Sequence, residues 1–264
     1  AAAEILASGA RCEIRRAAVF DYPEGLSLRE PERLGVELRA FLRRSRFSAR
    51  RAVLGLPARW LIVRPRSVPP VSAESAAGLL RIQGEREFSL EPAELVLDWA
   101  GETSPAEARS VLLVATPRER LDQAVALARN AGLRVRSVTS TALALSGAGV
   151  LDGEENGPVL WLDAEAAELV LRDRGGLRAA AHVGDAPGSP EDAGRLAEAV
   201  RRVLLLAPGV EAGGRPATLA VCDAAGPRPD VLARLAERLP LRVAEAKGFA
   251  AVGQGRARSA EDAG

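Results

Sequence analysis

Residues 110–138, SVLLVATPRERLDQAVALARNAGLRVRSV, change their hydrophobic period twice. The run 110–115, apolar from Val111 to Ala115, reads as a strand. At 116–119 the signals for a helix start crowd together. Thr116 is placed to cap, Pro117 sits where a first helical residue tolerates it, and Glu119 closes a capping box. Leu121, Val125 and Ala128 then recur at helical spacing, and Gly132 supplies a left-handed stop. Residues 133–138 return to a strand. A strand, a helix and a strand in succession predict an α/β fold class.

Working outward, the same alternation covers the chain. Residues 4–7 and 12–20 read as a hairpin around 8–11, and a helix spans 31–44, with Ser27 and Glu30 spaced as a capping box. Residues 51–56 and 59–63 are two strands around Pro57-Ala58. A helix carrying Ala76, Leu79, Leu80 and Ile82 follows, then a strand at 94–99 that pairs with 110–115. The glycine-rich, acidic tract 147–158 is the strongest boundary signal, dividing the chain into 1–148 and 149–264. Beyond it come three hairpin-like strands (159–163, 166–172, 177–183), a helix opened by Ser189, Pro190 and Asp192, a strand at 218–222, a helix at 230–239 and a strand at 241–244. The two halves share an order of elements without a sequence repeat.

Composition removes whole classes of function. The 264 residues carry 36 basic and 35 acidic side chains, so no net field draws the chain to nucleic acid. Only Lys247 among the cations is lysine. Six arginines between Arg39 and Arg51 fit the cationic end of a helix and a solvated loop. One histidine, His182, precludes a multi-histidine zinc site, and Cys12 and Cys222 form no metal-ligand spacing. No metal site is expected. No apolar run reaches the roughly 18 residues of a membrane span. A cytoplasmic chain is the expectation. Trp60, Trp99 and Trp161 fall in expected strands and read as core.

Several stretches resemble the type IV pilus assembly protein PilM family. Residues 51–57 (RAVLGLP), with 61–63 and Pro69, are similar to its strand–Leu-Pro–strand segment. Residues 91–98 (EPAELVLD), 111–116 (VLLVAT) and 131–134 (AGLR), followed by Val138 and Ala142-Leu143, continue the likeness. The tract 248–258 is similar to the family's closing helix, which would return to the first lobe. The resemblance implies an actin-like fold: two RNase H-like lobes around a nucleotide cleft, the first with an inserted subdomain. The cytoplasmic domain of the type II secretion protein GspL is a related possibility within that fold.

The same resemblance makes the cleft degenerate. The chain starts at what matches the family's second strand, so the first phosphate turn is expected to be missing. The second, Asp-x-Gly in the family, falls on Asp163, Ala164 and Glu165, where a carboxylate replaces the glycine. The adenosine-side glycine pair falls on Ala225 and Gly226. Asp163 could orient hydrated magnesium, whereas a strand also ends in aspartate because aspartate makes turns. Glu165 repels phosphate unless a metal intervenes.

The expectation is therefore a scaffold without a bound cofactor rather than an enzyme. The alternative from another class is an ATP-binding or hydrolysing enzyme of the same fold, using ATP with magnesium, and a third reading is an interaction domain with no nucleotide role. As partner, the resemblance implies the N-terminal peptide of a PilN-like bitopic inner-membrane protein, together with other pilus or secretion platform proteins. Arg51, Leu54, Leu56, Arg59 and Arg64 are the candidate contacts: apolar, strand-forming positions flanked by cations.

Overall fold

The structure is a computed structural model that describes residues 1–8, 11–88, 94–147, 157–163, 165–173, 176–206, 218–224, 226 and 228–246. In chain order the elements are β1 (Ala2–Ser8), β2 (Arg11–Ala18), α1 (Pro31–Arg44), β3 (Arg51–Leu56), a 3-10 turn (Ala58–Trp60), β4 (Ile62–Val68), α2 (Ala73–Glu87), β5 (Leu95–Ala100), β6 (Arg109–Pro117), α3 (Arg118–Asn130), β7 (Arg134–Ser140) and α4 (Thr141–Gly147). Then follow β8 (Gly157–Leu162), β9 (Ala166–Asp173), β10 (Gly176–Asp185), α5 (Pro190–Leu206), β11 (Thr218–Asp223), α6 (Pro229–Arg238) and β12 (Arg242–Glu245). The chain packs as two compact units, Ala1–Gly55 with Glu119–Thr139, and Leu56–Arg118 with Ser140–Lys247. No helix among the described residues is long and apolar enough to cross a membrane. The expected lobe boundary at 148/149 and the closing helix at 248–258 lie outside the described residues.

In the first unit β1 and β2 form an antiparallel hairpin and β3 pairs with β7. Phe41 of α1 lies 5.2 Å from Phe20 and 6.5 Å from Phe47 between ring centroids, an aromatic cluster that joins helix and loops. Helix α1 spans the expected residues, but the capping box does not form. Glu30 is the N-cap without a capping bond, and its carboxylate takes Arg33 at 2.6 Å instead. At the end of α3, Gly132 has φ +83°, and the Leu133 and Gly132 amides close on the Ala128 and Arg129 carbonyls, as the sequence signals require.

The second unit contains the sheet that decides the fold. Its strand order is β10-β9-β8-β11-β12, antiparallel from β10 to β8 and parallel from β8 to β12. Three meandering strands followed by two helix-linked parallel strands is the RNase H-like arrangement. Leu160, Leu162, Leu169, Leu171, Leu219 and Val221 line one face, against Leu196 and Val200 of α5 and Val231 and Leu235 of α6. Each fully buried leucine contributes roughly 2–3 kcal/mol by leaving water. α4 packs against β9 and β10. The same unit holds a three-stranded antiparallel sheet, β4-β6-β5, with α2 on one face.

Some expectations need correction. Residues 59–61 are not strand. The Trp60 amide donates to Pro57 and the Leu61 amide to Ala58, closing a 3-10 turn, so β4 starts at Ile62. Thr116 lies in β6 and does not cap α3; its hydroxyl donates to the Trp60 carbonyl at 3.0 Å. None of the three tryptophans is core: Trp60 and Trp161 are half-buried, and Trp99 on the sheet-edge strand β5 is 38% exposed. On α2 the buried stripe is Ala76, Leu80 and Gly84, at four-residue spacing, while Leu79 and Ile82 face water.

Candidate functional site

The carboxyl ends of parallel strands, where strand order reverses, are where an open α/β sheet leaves room for a ligand. In the five-stranded sheet that place is the end of β8 beside β11, with Leu162 in register with Asp223. Asp163 follows directly. Its Oδ1 accepts the amides of Glu165 at 2.7 Å and Ala166 at 2.6 Å, and its own amide donates to the Ala166 carbonyl at 3.0 Å. One carboxylate oxygen is thus committed to shaping the β8–β9 turn, as an aspartate-made turn requires. The Glu165 carboxylate is exposed and reaches Arg59 at 3.8 Å, a pair in water worth at most about 1 kcal/mol.

Across the strand ends, Gly226 has φ +104° and closes the turn after β11 through its amide to the Asp223 carbonyl at 3.3 Å. The Asp223 carboxylate is held by Arg228 Nε at 2.5 Å, and Arg228 Nη1 donates to the Pro187 carbonyl at 2.7 Å. The cavity lined by Leu162, Asp223 and Arg228 has a volume of about 10 Å³, room for about one water. Ala225 lies outside the described residues. Among the described residues, no group of three or more His, Cys, Asp or Glu could hold a metal ion. Cys222 on β11 is buried, and burial alone pushes its thiol up to about 12, so it is no nucleophile. His182 is exposed on the edge strand β10.

Two contacts tie the 3-10 turn to the β8–β9 turn and to β9, all within the second unit. Arg59 faces Glu165, and the Ala58 amide donates to Glu168 Oε1 at 2.6 Å. Glu168 was not singled out from sequence. Its signal was available: it is the one ionisable residue in the run Ala166–Leu171, every member of which is buried. Arg64 is exposed, reaching Glu87 at 3.7 Å. Of the candidate contact positions, Arg51 and Leu54 belong to the first unit and Leu56, Arg59 and Arg64 to the second. Leu56 is only 4% exposed, so it anchors the segment rather than presenting a surface.

A larger groove, about 370 Å³, runs between α2 and β5 and is lined by Leu80, Arg81, Glu85, Leu97, Trp99 and Arg118 among others. Its polar groups are engaged locally: Arg81 with Glu85, the Arg118 guanidinium with the Leu95 carbonyl, and the Trp99 amide with its neighbour Asp98.

Sheet order, helix placement and the turn after β8 define an actin-like fold. Over 95% of this chain and 85% of the other, at 21% identity and a TM-score of 0.72, it is similar to a chain in a solved structure of the PilM-PilN type IV pilus biogenesis complex. The cytoplasmic domain of EpsL, an inner-membrane component of the Vibrio cholerae type II secretion system, is similar over 79% of this chain and 82% of its own, at 14% identity and a TM-score of 0.51. A Bacteroides thetaiotaomicron protein of unknown function with an actin-like ATPase fold matches with a TM-score of 0.48 at 11% identity, covering 88% of this chain and 81% of its own. No protein-family model and no curated protein matches the sequence. The PilM-like fold expected from the sequence is the fold observed.

Proposed function

We propose that the chain is a non-catalytic, actin-like scaffold of a type IV pilus or related secretion platform, working on the cytoplasmic side of the inner membrane. Its partner is the N-terminal peptide of a PilN-like bitopic membrane protein. The observation that carries this reading is the near-complete structural likeness to a chain of the PilM-PilN complex. Arg59 and Arg64, with side chains 44% and 53% exposed, give an acidic or carbonyl-rich peptide its cationic contacts in the second unit. A fluorescent peptide from the cognate partner should bind with about micromolar affinity, as small interfaces do. The Arg59→Glu, Arg64→Glu double variant should bind at least about tenfold more weakly, since reversing two contact charges turns attraction into repulsion. Equal binding by the folded variant moves the site elsewhere, and no binding by the wild type refutes the scaffold reading.

We further infer that the chain holds no resident nucleotide. Support comes from the Asp163 oxygen committed to its own turn, the carboxylate at Glu165 and the cavity of about 10 Å³ beside Asp223. Titration calorimetry with ATP and magnesium should give no heat of micromolar binding. A saturable micromolar isotherm would favour the ATP-binding enzyme instead.

A further inference from the structure

Glu168 lies in the middle of β9, between Trp161 of β8 and His182 of β10 in register, and is 2% exposed. Its Oε1 accepts the Ala58 amide at 2.6 Å, fixing the 3-10 turn to the five-stranded sheet. Oε2 is buried and has no hydrogen-bond partner. An ionised carboxylate in that position leaves charge on an oxygen that nothing neutralises. A protonated one keeps Oε1 as the acceptor for Ala58 and can turn its O–H toward the Thr141 hydroxyl at the start of α4. We propose that Glu168 is a proton-controlled fastener: protonated, it holds the Ala58–Trp60 turn against the sheet, and ionised, it loosens that turn.

The groups that face Glu168 decide the direction. Burial is the largest influence and raises its pKa above the ordinary 4.5. The Ala58 amide opposes it, the negative charge of Asp163 reinforces it, and Thr141 and then Arg59 oppose it more weakly. Thr141 lies close enough to act on the carboxyl, although Oε2 itself has no hydrogen-bond partner. Arg59 is shared with the Glu165 carboxylate, which draws its charge outward. Trp161 on β8 carries no charge, and His182 on β10 is exposed.

Opening the turn removes the Ala58 amide, which by itself favours the carboxylate. But it also admits water to a carboxyl whose burial is the larger influence, so the turn-closed state binds the proton more tightly than an opened, hydrated one. Raising the pH above 4.5 favours opening, by about tenfold for each unit that separates the two pKa values, and the effect levels off once pH passes the closed-state pKa. Nothing in this depends on which partner the chain binds.

The experiment is amide hydrogen exchange of the whole chain from pH 4.5 to 8, expressed at Ala58 as a protection factor so that intrinsic base catalysis cancels. Protection at Ala58 should fall as the pH rises in the wild type and then level off. In Glu168→Gln it should stay flat, because the amide oxygen accepts Ala58 and the NH₂ reaches Thr141 without charge. Flat protection in the wild type, or the same fall in Glu168→Gln, overturns the proposal. Should that variant not fold, a carbon-13 titration of the Glu168 carboxyl in the wild type decides: a midpoint above 4.5 supports the fastener, and one at or below it overturns the proposal.

Discussion

Replacing Gly35 by alanine will destabilise the first unit by about 2 kcal/mol, although alanine is the better helix former. Gly35 lies inside α1, where glycine costs roughly 1 kcal/mol relative to alanine. Against that gain, a Cβ there would stand 2.4 Å from Asn130 Cβ, 3.0 Å from the Leu127 carbonyl oxygen and 3.1 Å from the Asn130 carbonyl carbon. Two of those atoms are backbone, so α1 and α3 must separate along their contact, and overpacking of this kind costs about 1–3 kcal/mol or more. Leucine should be worse, above about 3 kcal/mol. Gly78 of α2 is the control, since it is exposed with nothing within 4 Å of its Cβ position. There, alanine should stabilise by about 0.5–1 kcal/mol. Urea denaturation of the three variants checks both signs. A stabilised Gly35→Ala would mean that the two helices do not approach as closely as these distances require.

The contrast between those two glycines shows what a sequence carries and what it withholds. Both sit in helices placed correctly by period alone, α1 at the expected residues and α2 around Ala76 and Leu80. Neither letter says which glycine faces another helix. The strands of the five-stranded sheet were legible because they are short apolar runs broken by turn residues, whereas their order in the sheet came only with the structure. Signals that several partners compete for were not legible. Thr116 has the chemistry of a helix cap, yet its hydroxyl meets the Trp60 carbonyl first. Ser27 and Glu30 have the spacing of a capping box, but Arg33 takes the carboxylate.

The site divides along the same line. Asp163 was recognised as the end of a strand with two readings open, and its two amide contacts give the turn-making reading a geometry. Glu168 was missed because hydropathy averaged over 166–171 hides one carboxyl among five apolar neighbours. Arg59 was picked as a cation flanking an apolar, strand-forming segment, and the fold also sets it 3.8 Å from Glu165. Long-range pairs of this kind depend on β9 meeting a turn more than 100 residues earlier, and no local pattern encodes that meeting.

Glu4→Ala should cost the first unit about 3 kcal/mol at pH 7, and less at pH 3. Glu4 is 5% exposed on β1 and accepts four hydrogen bonds. Oε2 takes the Ser48 amide at 2.6 Å and the Ala49 amide at 3.3 Å, and Oε1 takes the Ser48 hydroxyl at 2.9 Å and Arg16 at 3.2 Å. This one carboxylate therefore pins the loop between α1 and β3 onto the β1–β2 hairpin. Removing it strands two backbone donors, each costing about 1–3 kcal/mol where water cannot replace the acceptor. The Ser48 amide is the strongest influence on its pKa. Burial pushes the other way, but the Ser48 hydroxyl, the Ala49 amide and Arg16 add to the downward pull, and the folded value lies below 4.5. A depressed folded pKa means that the stabilisation is complete above the unfolded value and is lost as pH falls through the folded one. The direction is opposite to that at Glu168, whose buried proton favours the closed turn at low pH. Urea unfolding of wild type and Glu4→Ala at both pH values, followed by exchange at the Ser48 and Ala49 amides, reads the difference. An equal penalty at pH 7 and pH 3 would mean that packing of the side chain, not its charge, holds the loop.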